Sequence, residues 1–127
     1  MPPDAELVLE RLIEIGDRLP EAVCERGPQH ATFLVGTKKF AYFLNDHHGD
    51  GIVAVAARAA RGENTALIAS DPDRFYLPAY VGPRGWVALR LDRPRVDWSE
   101  VAEIMTDSYL LAAPKRLAKL IDTPPAD

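Results

Sequence analysis

At 127 residues, with 47% hydrophobic and 27% charged residues, the chain has the size and mix of one globular domain with a single core. It has no apolar run near the roughly 20 residues that a membrane-spanning helix needs. The start Met1-Pro-Pro-Asp4 lacks the basic and apolar regions of a secretion signal, so a cytoplasmic protein with no membrane partner is expected.

The net charge of −4 argues against a simple polyanion binder, but it is unevenly spread. Residues 1–25 hold seven acids against two bases, a net −5, which leaves +1 for the rest and room for a local basic face. Cys24 is alone, which excludes an internal disulfide, and it reads as a small buried apolar residue.

A helix is predicted from Asp4 to Arg18, capped by Asp4, with Leu7, Val8, Leu12 and Ile15 at helical spacing. Leu19-Pro20 ends it, because the residue before a proline avoids the α region. Four short strands follow at Ala22–Arg26, Thr32–Val35, Phe40–Leu44 and Ile52–Ala57, separated by Gly27-Pro28, Gly36–Lys39 and Asn45–Gly51. Connections this short force antiparallel pairing. In the third strand, alternation puts Phe40, Tyr42 and Leu44 on one face and Ala41 and Phe43 on the other.

Glu63–Ser70 reads as a short helix closed by Asp71-Pro72, and Phe75–Leu77 as a brief strand. The segment Pro78–Trp86 is a shaped loop, in which prolines fix φ and Gly82 and Gly85 permit unusual backbone angles. Trp86–Leu91 is a strand. Asp97 then caps a helix with Glu100 at the capping-box position and Trp98, Val101, Ala102, Met105 and Tyr109 as its buried stripe. Pro114 suits the first turn of a last helix ending at Ile121, and 122–127 is expected to be a disordered tail. The fold class is therefore α+β: a two-layer single domain over 1–121. Its antiparallel sheet of about five to six strands is accompanied by an N-terminal helix, a short middle helix and C-terminal helices.

Five motifs in order, Phe33-Leu-Val-Gly-Thr-Lys-Lys-Phe-Ala41, Pro78–Trp86, Trp98-Ser-Glu-Val101, Ser108-Tyr109 and Ala113–Leu117, resemble the MmcQ/YjbR family. The resemblance spans Glu21 to Ile121 and implies a compact α+β domain with an antiparallel sheet and flanking helices. Members are commonly described as DNA-binding, through two projecting hairpins and nearby bases arranged like a double wing. One large branch carries His-Trp where Gly85-Trp86 stands here, so a histidine role at that place is absent.

On that implication the candidate nucleic-acid-binding residues are Lys38, Lys39, Arg84, Trp86, Lys115 and Arg116, with double-stranded DNA as partner. Each also has a plainer reading. Lys38 and Lys39 are equally solubilising residues at a hairpin tip, and Lys115 and Arg116 complement a helix dipole. Arg84 either contacts phosphate, or stacks on Trp86 or pairs with an acid such as Asp97. Trp86 stacks on bases only if exposed.

No catalytic set, cofactor motif or P-loop is present, so a non-enzymatic binding protein, monomeric or weakly dimeric and without cofactor, is expected. Ser108-Tyr109 has no base placed beside it, Tyr109 reads as a core residue with a hydrogen-bonded hydroxyl, and Asp46-His47-His48-Gly-Asp50 is a poor metal site because adjacent histidines diverge. Two other functions stay open. One is a small-molecule binder with the Tyr80–Trp86 loop, Tyr42 and Tyr76 lining a pocket. The other is a protein-interaction module using the sheet.

Overall fold

Asp4 opens the first helix as its residue type favours, its carboxylate accepting the Glu6 N–H at 2.9 Å. The computed structural model describes residues 4–121, so the expected tail at 122–127 lies outside the described residues. Helix α1 (Ala5–Asp17) buries Val8, Leu9, Leu12 and Ile15, while Leu7 is 58% exposed. The apolar stripe thus runs through Leu9 rather than Leu7, one position round from the expected face.

Four strands then form a meander: β1 (Ala22–Arg26), β2 (Ala31–Val35), β3 (Lys38–Asn45) and β4 (Val53–Arg58). Helix α2 (Glu63–Ser70) carries the chain to β5 (Phe75–Tyr76), and β6 (Trp86–Arg90) returns between β5 and β4. The sheet order is β1-β2-β3-β4-β6-β5, with every neighbouring pair antiparallel. Helices α3 (Trp98–Ala112) and α4 (Lys115–Ile121) complete the α+β domain. Among the described residues, no helix is long and apolar enough to cross a membrane.

The main core lies between the sheet and α1, α2 and α3, where Leu12, Phe33, Phe40, Phe43, Val55, Val87, Met105 and Tyr109 meet. Alternation alone does not describe β3. Ala41 faces Phe33, but the next pair is Lys39 with Leu34, so Phe40 is the extra residue of a β-bulge. The bulge turns Phe40 inward beside Ala41 and Phe43, and leaves Tyr42 and Leu44 on the opposite face. This corrects the expectation that Phe40, Tyr42 and Leu44 share a face.

Ser108 holds the bulge. Its side chain is fully buried, its hydroxyl donates to the Phe40 carbonyl, and its oxygen accepts the Arg58 N–H at 2.9 Å. One hydroxyl therefore satisfies two backbone groups from adjacent strands. Tyr109, the next residue, sets its ring edge-on to Phe40 at 5.5 Å and donates to the Pro20 carbonyl at 2.6 Å. Tyr109 is thus the core residue with a hydrogen-bonded hydroxyl that was expected.

Helix α3 begins as expected at Asp97, whose carboxylate accepts from the Ser99 and Glu100 amides. Two details differ. The Glu100 carboxylate turns to Arg74 instead of closing a capping box, because Arg74 is held beside it by Asp71. Trp98 is half-buried, with the Arg11 guanidinium 4.7 Å from its ring centre, since it lies at the margin of the stripe through Val101, Met105 and Tyr109.

The Pro78–Trp86 segment is fixed from beneath. Asn64 is 7% exposed, and its amide donates to the carbonyls of Gly82 at 3.3 Å and Trp86 at 3.2 Å. Between these anchors a 3-10 turn, Gly82–Arg84, ends at Gly85 with φ +96°. A Cβ on Gly82 would meet Leu77 Cγ at 2.5 Å, so that position admits no side chain without displacement.

Two stability predictions result. Ser108→Ala strands a buried carbonyl and a buried amide and should cost about 2 kcal/mol. Urea unfolding should show a lower midpoint at unchanged slope, and a midpoint equal to wild type would contradict the bridging role. Asn64→Ala should lower stability by about 1–3 kcal/mol and speed amide hydrogen exchange in 82–86 relative to the β2–β3 hairpin. Uniform acceleration across the chain would argue against a local anchor.

Candidate functional site

Strand register brings most of the candidate residues to one end of the sheet. Lys38 lies opposite Val35, which in turn lies opposite Ala22 at the start of β1. Arg58 lies opposite Trp86, and the Ala59 amide donates to the Gly85 carbonyl at 3.1 Å. The starts of β1, β3 and β6 and the end of β4 therefore share one rim, with Glu21, the Lys38-Lys39 pair, Arg61 and Arg84 on it. Only β4 separates β3 from β6, so these two strands are roughly 10 Å apart.

The cations at this rim differ in how they are engaged. Lys38, Lys39, Arg84 and Lys115 are exposed, as is Arg61, and none has an ion-pair partner among the described residues. Arg116 pairs with Glu21 at 3.1 Å, and its guanidinium holds that carboxyl below the usual carboxylate range. Arg58 shares a groove with Glu63 and Asp107, which offset its charge. Away from the rim, Arg26 is paired with Glu6, Arg74 with Asp71 and Glu100, and Arg90 with Asp92.

Of the readings open for Arg84, pairing with Asp97 is not found: that carboxylate is occupied in capping α3. Trp86 is 6% exposed, its ring 5.1 Å from that of Tyr42, so it is not a surface stacking residue. The small residues Ala54, Ala56 and Ala88 leave space on the sheet into which its indole packs.

Arg61 and Arg84 flank a shallow depression of about 570 Å³. Gly62, Gly82 and Gly85 contribute backbone and Asn64 and Thr65 polar side chains, and among the described residues no acidic one lines it. Arg61 was missed by sequence reasoning. Its signal was slight: an arginine before a glycine at the start of a helix.

The open face of the sheet holds a separate cavity of about 310 Å³, beneath Tyr80 and Val81 of the loop. Tyr42, His30 and His47 line it, but Tyr76 and Trp86, expected there from sequence, do not. Tyr76 lies farther along the face, where burial and then Asp50 push its phenol up to about 12.

Among the described residues, no group of three or more His, Cys, Asp or Glu is placed to hold a metal ion. Asp46 and Asp50 accept the amides of Gly51 and Ile52 and so stabilise their own turn. Burial pushes the Cys24 thiol up, against the requirement of a nucleophile.

Comparison with known proteins agrees with this architecture. The crystal structure of the Deinococcus radiodurans protein DR2400, a DUF419 domain, is similar at a TM-score of 0.69 and 20% identity, with 91% of this chain and 88% of that one covered. A protein from Pseudomonas syringae is similar at a TM-score of 0.63 and 13% identity, with 82% and 97% covered. At such identities the likeness shows the fold alone. No curated protein matches the chain. The family model YjbR matches residues 17–111, three quarters of the sequence, and the chain belongs to the YjbR family.

Proposed function

We propose that this domain is a non-enzymatic DNA-binding protein that holds the sugar–phosphate backbone at the Lys38–Arg84 end of its sheet. The observation that carries this reading is the depression flanked by Arg61 and Arg84, with glycine backbone and, among the described residues, no acid in its lining. Two guanidiniums without a counter-charge suit phosphate oxygens, which accept paired N–H donors. Lys38 and Lys39 add two further cations, two strands away on the β2–β3 hairpin. A separation of roughly 10 Å is close to the width of one major groove, so turn and loop would meet neighbouring stretches of backbone.

The reading is one of positioning rather than base recognition. Charges fix a protein on a duplex but carry no sequence information directly. With Trp86 covered by Tyr42, that residue offers no base stacking, the device on which single-strand binders depend. Lys115 is exposed at the start of α4, and its neighbour Arg116 adds to the basic rim only by leaving Glu21. Binding is therefore expected to be sequence-tolerant, weak at physiological salt and steeply dependent on ionic strength.

Fluorescence anisotropy with a labelled duplex tests this. Four phosphate contacts, from Lys38, Lys39, Arg61 and Arg84, predict a slope of log affinity against log salt of about −3 to −4. The combined variant Lys38→Gln, Lys39→Gln, Arg84→Gln should reduce that slope by about 2 to 3. Arg26→Gln, at the opposite end and paired with Glu6, should leave it unchanged. No binding at low salt, or an unaltered slope in the triple variant, removes the proposal.

A further inference from the structure

The geometry points to a second binding site, on the open face of the sheet, for a neutral flat aromatic molecule of one or two fused rings. It is separate from the basic rim, because none of Lys38, Lys39, Arg61 and Arg84 lines it. The cavity of about 310 Å³ is at the small end of ligand pockets, which run from roughly 300 to 1,000 Å³.

Its walls are aromatic and its floor is small. Tyr42 and Tyr80 line it, Ala56 lies in the sheet beneath, and Val81 closes one side. Ring faces of this kind favour another flat π-system through offset or edge contacts. Tyr42 is itself backed by Trp86 at 5.1 Å, so that wall is held by a second ring.

The lining also decides the charge. Among the described residues, no Lys, Arg, Asp or Glu contributes to it. A carboxylate or an ammonium entering there would lose hydration without meeting a Lys, Arg, Asp or Glu counter-ion, whereas a neutral ring has no ionic hydration to lose. Polar partners are present in Thr32, His30 and His47. His30 has an Nε2 atom that is buried without a hydrogen-bond partner, and its ring meets that of His47 edge-on at 5.0 Å. A ligand that displaces this edge contact supplies the missing partner, which native proteins rarely leave absent.

Tyr80 stands at the mouth of the same cavity. It is 77% exposed and has φ +67°, a left-handed backbone conformation that a bulky residue adopts at a cost. Glycine would suit this backbone better, yet a large ring stands there at the cavity mouth. A strained aromatic beside an aromatic cavity is the arrangement of a binding wall.

The test uses three isosteric probes, 2-naphthamide, 2-naphthoate and 2-naphthamidine, titrated into the 127-residue protein and followed by amide chemical shifts. The neutral amide should shift residues 30–32, 42–44, 56 and 78–81 and bind about tenfold tighter than either charged analogue. Tyr80→Gly suits the positive φ of this position and removes the ring from the cavity mouth, so its affinity for the amide should drop about tenfold. The inference is overturned if 2-naphthamide causes no shifts at these residues, if the charged probes bind equally well, or if Tyr80→Gly binds as tightly as wild type.

Discussion

A single buried hydroxyl sets the geometry on which both surfaces of this domain depend. Ser108, at the inner face of α3, joins the Phe40 carbonyl to the Arg58 amide and so ties the bulge of β3 to the end of β4. Because Phe40 is the extra residue of that bulge, its ring turns into the core and packs against Tyr109. Everything after the bulge is then displaced by one residue relative to simple alternation. Tyr42 and Leu44 come out on the open face, and Lys38 and Lys39 stay at the sheet end beside the loop that carries Arg84. The cost of an unmade buried hydrogen bond favours this arrangement, in which Ser108 satisfies both groups.

The two faces of the sheet are consequently unlike. One packs three helices over a continuous apolar core; the other carries the 78–86 segment, against Ala54, Ala56 and Ala88. Small residues there let Trp86 and Val81 come down on the sheet and leave a cavity beside them. Asn64 holds the segment from the helix side through two of its carbonyls, and Gly82 permits the close passage of Leu77. A loop anchored in this way presents Arg84 and Tyr80 in defined places, the first toward the basic rim and the second over the cavity.

Much of the fold was legible in the residues. Asp4, Pro20, Gly27-Pro28, Asp97 and Pro114 mark element boundaries through local chemistry that tertiary context did not override, and β1 and α2 have the expected ends. The face of β3 was not legible, because a bulge depends on a residue 68 positions away, and nothing near Phe40 announces it. Leu7 was misplaced for a related reason: a stripe one position wide of the true one fits the same periodicity, whereas Trp98 packs against the core from its margin. The site was less legible still. The Lys38-Lys39 pair and Arg84 could be singled out by their neighbours, but Arg61, His30 and His47 acquire meaning only when the sheet brings distant segments together. The exposure of a cation and the burial of Trp86 are likewise properties of packing, not of spacing.

The central claim is that the register fixed at the bulge assembles one end of the sheet as an interface for a phosphate backbone. Amide chemical-shift mapping with a short duplex at low salt tests it most directly. The account predicts shifts confined to 36–39, 59–62 and 82–85, with residues 30, 42 and 80 of the cavity undisturbed. Shifts centred on the acidic helix α1 or on the open face, or none at all, would contradict it.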